Sequence, residues 1–151
     1  MIISEKENET AAIFEEKARE KHSKITFASD IHQLSIIKKE KNFLQIMDQS
    51  LTNNRKSELY NLDLTGTYQK KNLAGVLSVI DELALLGYPI STENIHYALA
   101  HVKALTHLTG RWQTLSENPL IICDTGHNEK GWEEILININ QLTYEHIHFV
   151  I

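Results

Sequence analysis

The sequence predicts an α/β protein, on three observations about its apolar residues. Residues 68–86 and 91–105 repeat apolar side chains at the three- and four-residue spacing of one helix face. Residues 119–123 form an uninterrupted apolar run, which is typical of a strand covered on both faces of a parallel sheet. Shorter apolar stretches between residues 25 and 64 are typical of strands. A chain of 151 residues can hold one domain or parts of two.

Before residue 68 the elements are predicted to be short. Thr10 is a suitable N-cap for an amphipathic helix that ends near Lys21. Strands are predicted at 1–3, 25–28, 34–37 and 59–64, whereas 43–47 is compatible with either a helix or a strand. The polar residues 52–56 predict a turn.

The two helices that follow are the most regular part of the pattern. Gly87 is predicted to end the first, and Ser91 to cap the second, with Glu93 in its first turn. The apolar residues predicted to be buried are Leu73, Val76, Leu77, Ile80, Leu83 and Leu86 in the first helix, and Ile95, Ala98, Leu99, Val102 and Leu105 in the second.

The chain changes character near residue 110. A short strand is predicted at 112–115, and the apolar strand at 119–123 is followed by a polar loop, a helix that buries Trp132 and Ile135, and a strand at 146–151. This order predicts a β-α-β unit. We therefore place a domain boundary between Leu108 and Arg111, which divides the chain into 1–108 and 109–151.

Composition excludes several classes of function. A net charge of −5 and a pI near 5.9 give no basic field for a nucleic-acid backbone. No apolar run approaches the roughly 18 residues of a membrane span, and the charged residues after Ile3 do not resemble a secretory signal. The single cysteine, Cys123, is compatible with a reducing compartment, so we expect a cytoplasmic protein. Because the chain begins and ends in predicted strands, we also expect it to be part of a longer polypeptide.

A polar loop, Asp124-Thr-Gly-His-Asn128, follows the apolar strand. In open α/β sheets, ligands bind outside the carboxyl ends of strands, where a carboxylate can accept hydrogen bonds from ribose hydroxyls. The helix N-terminus that follows favours an anion. The same residues would also serve as helix caps, since polar caps after strands are common.

Two further groups of residues could bind a nucleotide. Gln69 and Asn72 lie three residues apart at a predicted helix start, and amide side chains suit an adenine edge. Arg111, after Gly110 at the predicted domain junction, could reach phosphates with its planar guanidinium. Helix capping and a solvated surface arginine remain the alternatives for these groups.

Taken in order, these motifs resemble those of the folylpolyglutamate synthase/dihydrofolate synthase family, a branch of the muramyl-ligase-like ATP-dependent ligases. That family carries a glycine, a tyrosine or histidine, a glutamine and an asparagine at a helix start, matched by Gly66, Tyr68, Gln69 and Asn72. Its Gly-Arg pair and its D-G-A-H-N signature are matched by Gly110-Arg111 and by Asp124, His127 and Asn128. One departure is Thr125-Gly126, where the family usually has Gly-Ala.

The resemblance implies the end of a P-loop-type ATPase domain followed by the start of a Rossmann-like C-terminal domain. The implied enzyme is a cytoplasmic, monomeric ligase of folate biosynthesis and one-carbon metabolism, which joins L-glutamate to dihydropteroate or a folate through an acyl phosphate. It implies that Asn72 contacts adenine with support from Gln69, that Arg111 contacts the phosphates, and that Asp124 contacts the ribose. His127, near the glutamate or the terminal phosphate, and Arg111 would be the catalytic residues.

The implied cofactors are ATP and Mg²⁺, with the metal ligands outside this chain, since residues 1–151 contain no G-x-x-x-x-G-K-[ST] phosphate loop. The chain alone is therefore expected to be inactive. Two rival hypotheses stay open: a related ligase with another acceptor, and a non-enzymatic nucleotide-binding or interaction module.

Overall fold

The structure is a computed structural model that describes residues 1–51 and 57–150. The predicted turn at 52–56 lies outside the described residues. The fold is mixed α/β, as predicted. The described elements are, in chain order, β1 (Ile2–Ile3), α1 (Ala11–Glu20), β2 (Thr26–Phe27), a 3-10 turn (Ala28–Asp30), β3 (His32–Lys39), β4 (Leu44–Ser50), β5 (Glu58–Leu62), α2 (Gln69–Leu85), α3 (Thr92–Ala100), α4 (Val102–Thr106), β6 (Gln113–Glu117), β7 (Leu120–Cys123) and α5 (Glu129–Ile139).

Strands β3, β4 and β5 form an antiparallel sheet in that order. Leu44 and Ile46 of β4 are fully buried, whereas Gln45 between them hydrogen-bonds Asn61 on the other face. This alternation gives the sheet one covered face, against which α2 packs. The resulting first core consists of Leu44, Ile46, Tyr60, Leu62, Leu73, Leu77 and Leu99. The predicted strand at 34–37 is confirmed, the one at 59–64 is confirmed as far as Leu62, and residues 44–47 of the ambiguous segment belong to a strand.

Helix α2 buries a narrower face than the apolar pattern predicts. Leu73 and Leu77 are buried as expected, but Val76 is 43% exposed and Leu86 is 75% exposed. Part of the buried face is formed by the small residues Ala74, Gly75 and Ser78. Helix α2 also packs against β1 and the 3-10 turn, and Gly75 lies against Ser4, the residue after β1. Leu86 and Gly87 end the helix, as predicted.

The second predicted helix is two helices. Ser91 caps α3 and, with Asn94, forms a capping box, which confirms the predicted start. The predicted continuation to Leu105 is wrong, because α3 ends at Ala100 and α4 starts again after His101. The Asp63 carboxylate accepts a hydrogen bond from the Lys103 N–H, 2.8 Å away, and so caps α4 at a point where a continuous helix would have no free donor.

Residues 109–150, which we call the second part of the chain, form a β-hairpin followed by a helix. Residues before 109 are the first part. Strand β7 is confirmed, but its predicted parallel and covered setting is wrong: it pairs antiparallel with β6, and Leu120 and Ile121 are about half exposed. The predicted strand at 146–151 is absent from residues 146–150, and Ile151 lies outside the described residues. No strand pairs with this segment among the described residues; Phe149 packs against Trp132 instead.

Trp112, Ile135 and Ile139 form a second core, separate from the first. The two cores lie on either side of residues 108–111, and the division of the chain into two domains there remains a prediction. The predicted strand at 1–3 is confirmed as β1, which pairs parallel with β2. None of the described helices is long and apolar enough to cross a membrane.

Candidate functional site

A cleft of about 590 Å³ opens between the start of α2 and the loops of the second part. We call Tyr68 and Asn72 the first wall, and residues 110–111 and 124–131 the second wall. Four of the five predicted site residues line this cleft: Asn72, Arg111, Asp124 and His127. They come from three separate stretches of the sequence between residues 72 and 127, and the fold brings them together.

Asp124 joins the two walls. Its Oδ2 accepts hydrogen bonds from the Tyr68 hydroxyl at 3.0 Å and from the Trp112 N–H at 2.8 Å. Its Oδ1 accepts from the Gly126 N–H at 2.9 Å, which shapes the loop after β7. A carboxylate has about four acceptor positions. One acceptor position on Oδ1 is therefore left for a ligand hydroxyl.

The phenol of Tyr68 is held in its protonated form. Burial raises the pKa of Tyr68, and the adjacent Asp124 carboxylate raises it further. The hydroxyl therefore acts as a hydrogen-bond donor to Asp124 throughout the physiological pH range.

Arg111 lies between two residues of unusual backbone conformation. Gly110 has φ +69° and Trp112 has φ +50°, both in the left-handed region. For a tryptophan this conformation costs about 1–2 kcal/mol, so surrounding contacts must hold it. The hydrogen bond from the Trp112 N–H to Asp124 is one such contact. The Arg111 guanidinium donates to the Thr125 hydroxyl, which places it on the second wall.

Gln69 lies behind the cleft and does not line it. Its side chain is only 5% exposed, and its Oε1 accepts a hydrogen bond from the Asn72 Nδ2 at 2.9 Å. Gln69 therefore orients the amide of Asn72, with the Asn72 oxygen left free of this bond. This arrangement agrees with a supporting role and gives Gln69 no direct access to a ligand.

His127 is exposed on the second wall. Its Nδ1 lies 3.1 Å from the Thr125 carbonyl oxygen, an acceptor, so Nδ1 carries the proton. In the neutral imidazole, Nε2 is then left as the acceptor. The side chain can thus accept a proton at Nε2 or, when protonated, donate to an anion.

Charged side chains that the sequence motifs did not indicate also line the cleft. The Lys71 Nζ lies 3.4 Å from carboxylates of both Glu5 and Glu134, and Lys130 pairs with Glu7. Burial lowers the pKa of Lys71, but the two glutamates outweigh that effect and the net pKa is raised. Tertiary contacts bring these residues together, so no local motif could have revealed them.

Asn128 caps helix α5, as the alternative interpretation proposed. Its Oδ1 accepts a hydrogen bond from the Gly131 N–H at 2.8 Å. We expect Asn128→Ala to lower the free energy of unfolding by about 1 kcal/mol, the usual cost of losing an N-cap. Urea denaturation followed by circular dichroism would measure it.

The matched control for this prediction is Asn128→Asp, which keeps the capping oxygen. A loss for Asn128→Asp equal to that for Asn128→Ala would contradict the capping role and assign the effect to the neutral amide.

Among residues 1–51 and 57–150, no three His, Cys, Asp or Glu side chains are grouped so that they could hold a metal ion. The described part of the cleft thus offers hydrogen-bond donors, cationic side chains, the Asp124 carboxylate, and three glutamates that are paired with lysines. These groups suit the adenine, ribose and phosphate parts of a nucleotide.

No protein-family profile matches the chain, and no curated protein matches it. Solved structures do. A folylpolyglutamate synthetase complex with AMPPCP and folate matches 97% of this chain and 34% of its own, at 20% identity and a TM-score of 0.81. The folylpolyglutamate synthetase of Lactobacillus casei matches 93% of this chain at 21% identity and a TM-score of 0.74. That of Thermotoga maritima matches 92% at 21% identity and a TM-score of 0.71.

These likenesses establish the fold. The chain spans about a third of the length of each of these solved structures. The predicted resemblance is therefore confirmed at the level of structure, over nearly all of this chain.

Proposed function

We propose that this chain provides the nucleotide-binding walls of an ATP-dependent ligase that joins L-glutamate to dihydropteroate or a folate. The observation that carries the proposal is the convergence of Asn72, Arg111, Asp124 and His127 on one cleft. These four residues were selected from three separate motifs, so the meeting of the motifs at one cleft is support beyond each motif alone. The likeness in fold to a folylpolyglutamate synthetase solved with AMPPCP and folate supports the same substrates.

In this proposal the two walls divide the nucleotide between them. The Asn72 amide, oriented by Gln69, contacts the adenine edge, and the free acceptor position of Asp124 receives a ribose hydroxyl. Arg111 contacts the phosphates with its guanidinium. The phosphate loop and the magnesium ligands come from residues outside these 151, and Mg²⁺ would there neutralise charge on the transferred phosphoryl group.

The proposed reaction has two steps. An oxygen of the acceptor carboxylate bonds to the γ-phosphorus of ATP, and ADP leaves. The glutamate amine then bonds to the carbonyl carbon of the acyl phosphate, and phosphate leaves. A base takes the proton that the amine nitrogen loses as the amide forms. In this proposal His127 takes that proton at Nε2, which its Nδ1 contact with the Thr125 carbonyl leaves as the acceptor. Arg111 stabilises the charge on the phosphoryl group, and this stabilisation is stronger where water is excluded from the cleft.

A coupled assay of ADP release tests this function. The complete polypeptide encoded by the gene is supplied with ATP, Mg²⁺ and glutamate, and with dihydropteroate, dihydrofolate, tetrahydrofolate or a peptidoglycan precursor as acceptor. We expect glutamate-dependent turnover with at least one pteroate or folate acceptor and its loss in Arg111→Ala. Turnover only with a different acceptor would assign the chain to a related ligase.

The chain by itself is expected to bind ATP weakly. Because the groups that bind the triphosphate and the metal are proposed to lie elsewhere, we expect a dissociation constant of about a millimolar, or roughly −4 kcal/mol. Isothermal titration calorimetry of the purified chain with Mg·ATP measures it. Micromolar affinity would contradict this prediction and would favour an independent nucleotide-binding module.

A further inference from the structure

A fully buried amide joins the two cores behind the cleft. Asn138 of α5 has no exposed surface, although it is polar. Its Nδ2 donates to the Thr67 hydroxyl at 3.1 Å and to the Glu134 carbonyl at 2.8 Å. Its Oδ1 accepts from the Lys39 Nζ at 2.6 Å and from the Thr67 N–H at 3.3 Å. All the hydrogen-bonding capacity of this amide is thus used, largely by residues of the first part of the chain.

Lys39 completes the junction from the end of β3. Its Nζ also donates to Gln141 at 2.8 Å and lies 5.7 Å from the centre of the Trp112 ring. Lys39 is partly buried, and this burial lowers the pKa of its ammonium. An ammonium in that setting is held by its partners, and three of them, Asn138, Gln141 and Trp112, belong to the second part of the chain.

The junction connects directly to both walls of the cleft. Thr67 is the residue before Tyr68, whose hydroxyl donates to Asp124. Trp112 is the residue after Arg111, and its N–H donates to the same carboxylate. Asn138 also lies on the helix that starts at the loop after Asp124. A change at Asn138 therefore alters the position of Tyr68 relative to Arg111 and Asp124.

We propose that Asn138, with Lys39 and Thr67, is a positioning residue that fixes the separation of the two walls. A buried amide fits this task, because its four directed hydrogen bonds hold at one relative placement of the segments, whereas apolar contacts tolerate sliding. The value of this placement for nucleotide binding rests on the proposed function. The fixed separation of the two walls does not depend on the proposed function.

Pulsed electron–electron double resonance on the whole chain measures the separation of the two walls without any nucleotide. Spin labels are attached at cysteines replacing Thr92 and Glu133, exposed positions in α3 and α5, in a Cys123→Ser background. We expect one narrow distance distribution in the parent and a distribution at least about twofold broader in Asn138→Ala, since parts of a chain move relative to one another when the interface does not lock them.

The matched control is Asn140→Ala, an exposed asparagine of the same helix end, which should keep the parent distribution. Thr67→Val and Lys39→Met remove single junction partners and leave α5 unchanged, so they carry the test if Asn138→Ala fails to fold by circular dichroism. Folded variants whose distributions superimpose on that of the parent would overturn the proposal. Because no ligand is present, this result is independent of whether the ligase assay succeeds.

Discussion

Replacing Asp124 by alanine is expected to lower the free energy of unfolding by about 3 kcal/mol. The carboxylate accepts hydrogen bonds from the Tyr68 hydroxyl and from the Trp112 and Gly126 amides, and alanine leaves these donors without their acceptor. It also releases Trp112 from the contact that holds its left-handed backbone. Urea denaturation at neutral pH, followed by circular dichroism and tryptophan fluorescence, gives the value.

The control for Asp124→Ala is Asp30→Ala, which removes an exposed carboxylate 3.4 Å from Lys6. Exposed ion pairs contribute little, so this change should cost less than about 0.5 kcal/mol. Tyr68→Phe isolates one of the three hydrogen bonds and should cost about 1 kcal/mol. In the double variant the two costs should not add, because they share that bond. A loss below 1 kcal/mol for Asp124→Ala would show that the carboxylate does not organise the walls.

Asp124 thus has a structural task and a proposed binding task at once. Both acceptor positions of Oδ2 serve the fold, and one position of Oδ1 remains for the ligand. A variant that removes the carboxylate therefore damages the cleft before any nucleotide arrives. Loss of activity in Asp124→Ala is consequently weak evidence for ribose contact, whereas Arg111→Ala is the cleaner test of the proposed function because Arg111 is exposed.

The sequence predicts those elements of this fold that depend on local periodicity. The repeat in 68–86 and the stop at Gly87 give helix α2, and Ser91 gives the start of α3. The break after Ala100 could not be predicted, because it depends on Asp63, a carboxylate forty residues away. The exposed face of β7 was also missed, because an apolar run has the same sequence whether or not other elements cover it.

The site shows the same division. Asn72, Arg111, Asp124 and His127 belong to motifs that can be recognised in sequence, and the structure brings them to one cleft. Asp124 and Tyr68, which join the walls, also belong to motifs, but Asn138 and Lys39 of the proposed junction belong to none. Asn138 interrupts an apolar stretch of α5, and its partner Lys39 lies 99 residues earlier, so only the folded chain reveals their contact.

Replacing Gly110 by alanine is expected to lower the free energy of unfolding by about 3 kcal/mol. The left-handed backbone at φ +69° costs an alanine about 1–2 kcal/mol, and a methyl group at this position would lie 2.5 Å from the Thr125 Cγ2. Relief of that overlap moves Thr125 away from Gly110, whose carbonyl oxygen accepts from the Thr125 N–H at 3.0 Å. Urea denaturation gives the loss in stability.

Two variants separate the backbone cost from the overlap. Gly87→Ala introduces a methyl group at φ +90° where no atom lies within 4 Å, so it carries the backbone cost alone, about 1–2 kcal/mol. Thr125→Ser keeps the hydroxyl that bonds Gly110 and Arg111 but removes Cγ2. When it is combined with Gly110→Ala in a double variant, it should recover part of the stability that Gly110→Ala loses. Equal losses in Gly110→Ala and Gly87→Ala, with no recovery by Thr125→Ser, would contradict the close packing of these two loops. Because Thr125 also accepts a hydrogen bond from the Arg111 guanidinium, the packing at Gly110 is what holds the proposed phosphate-binding arginine on its wall of the cleft.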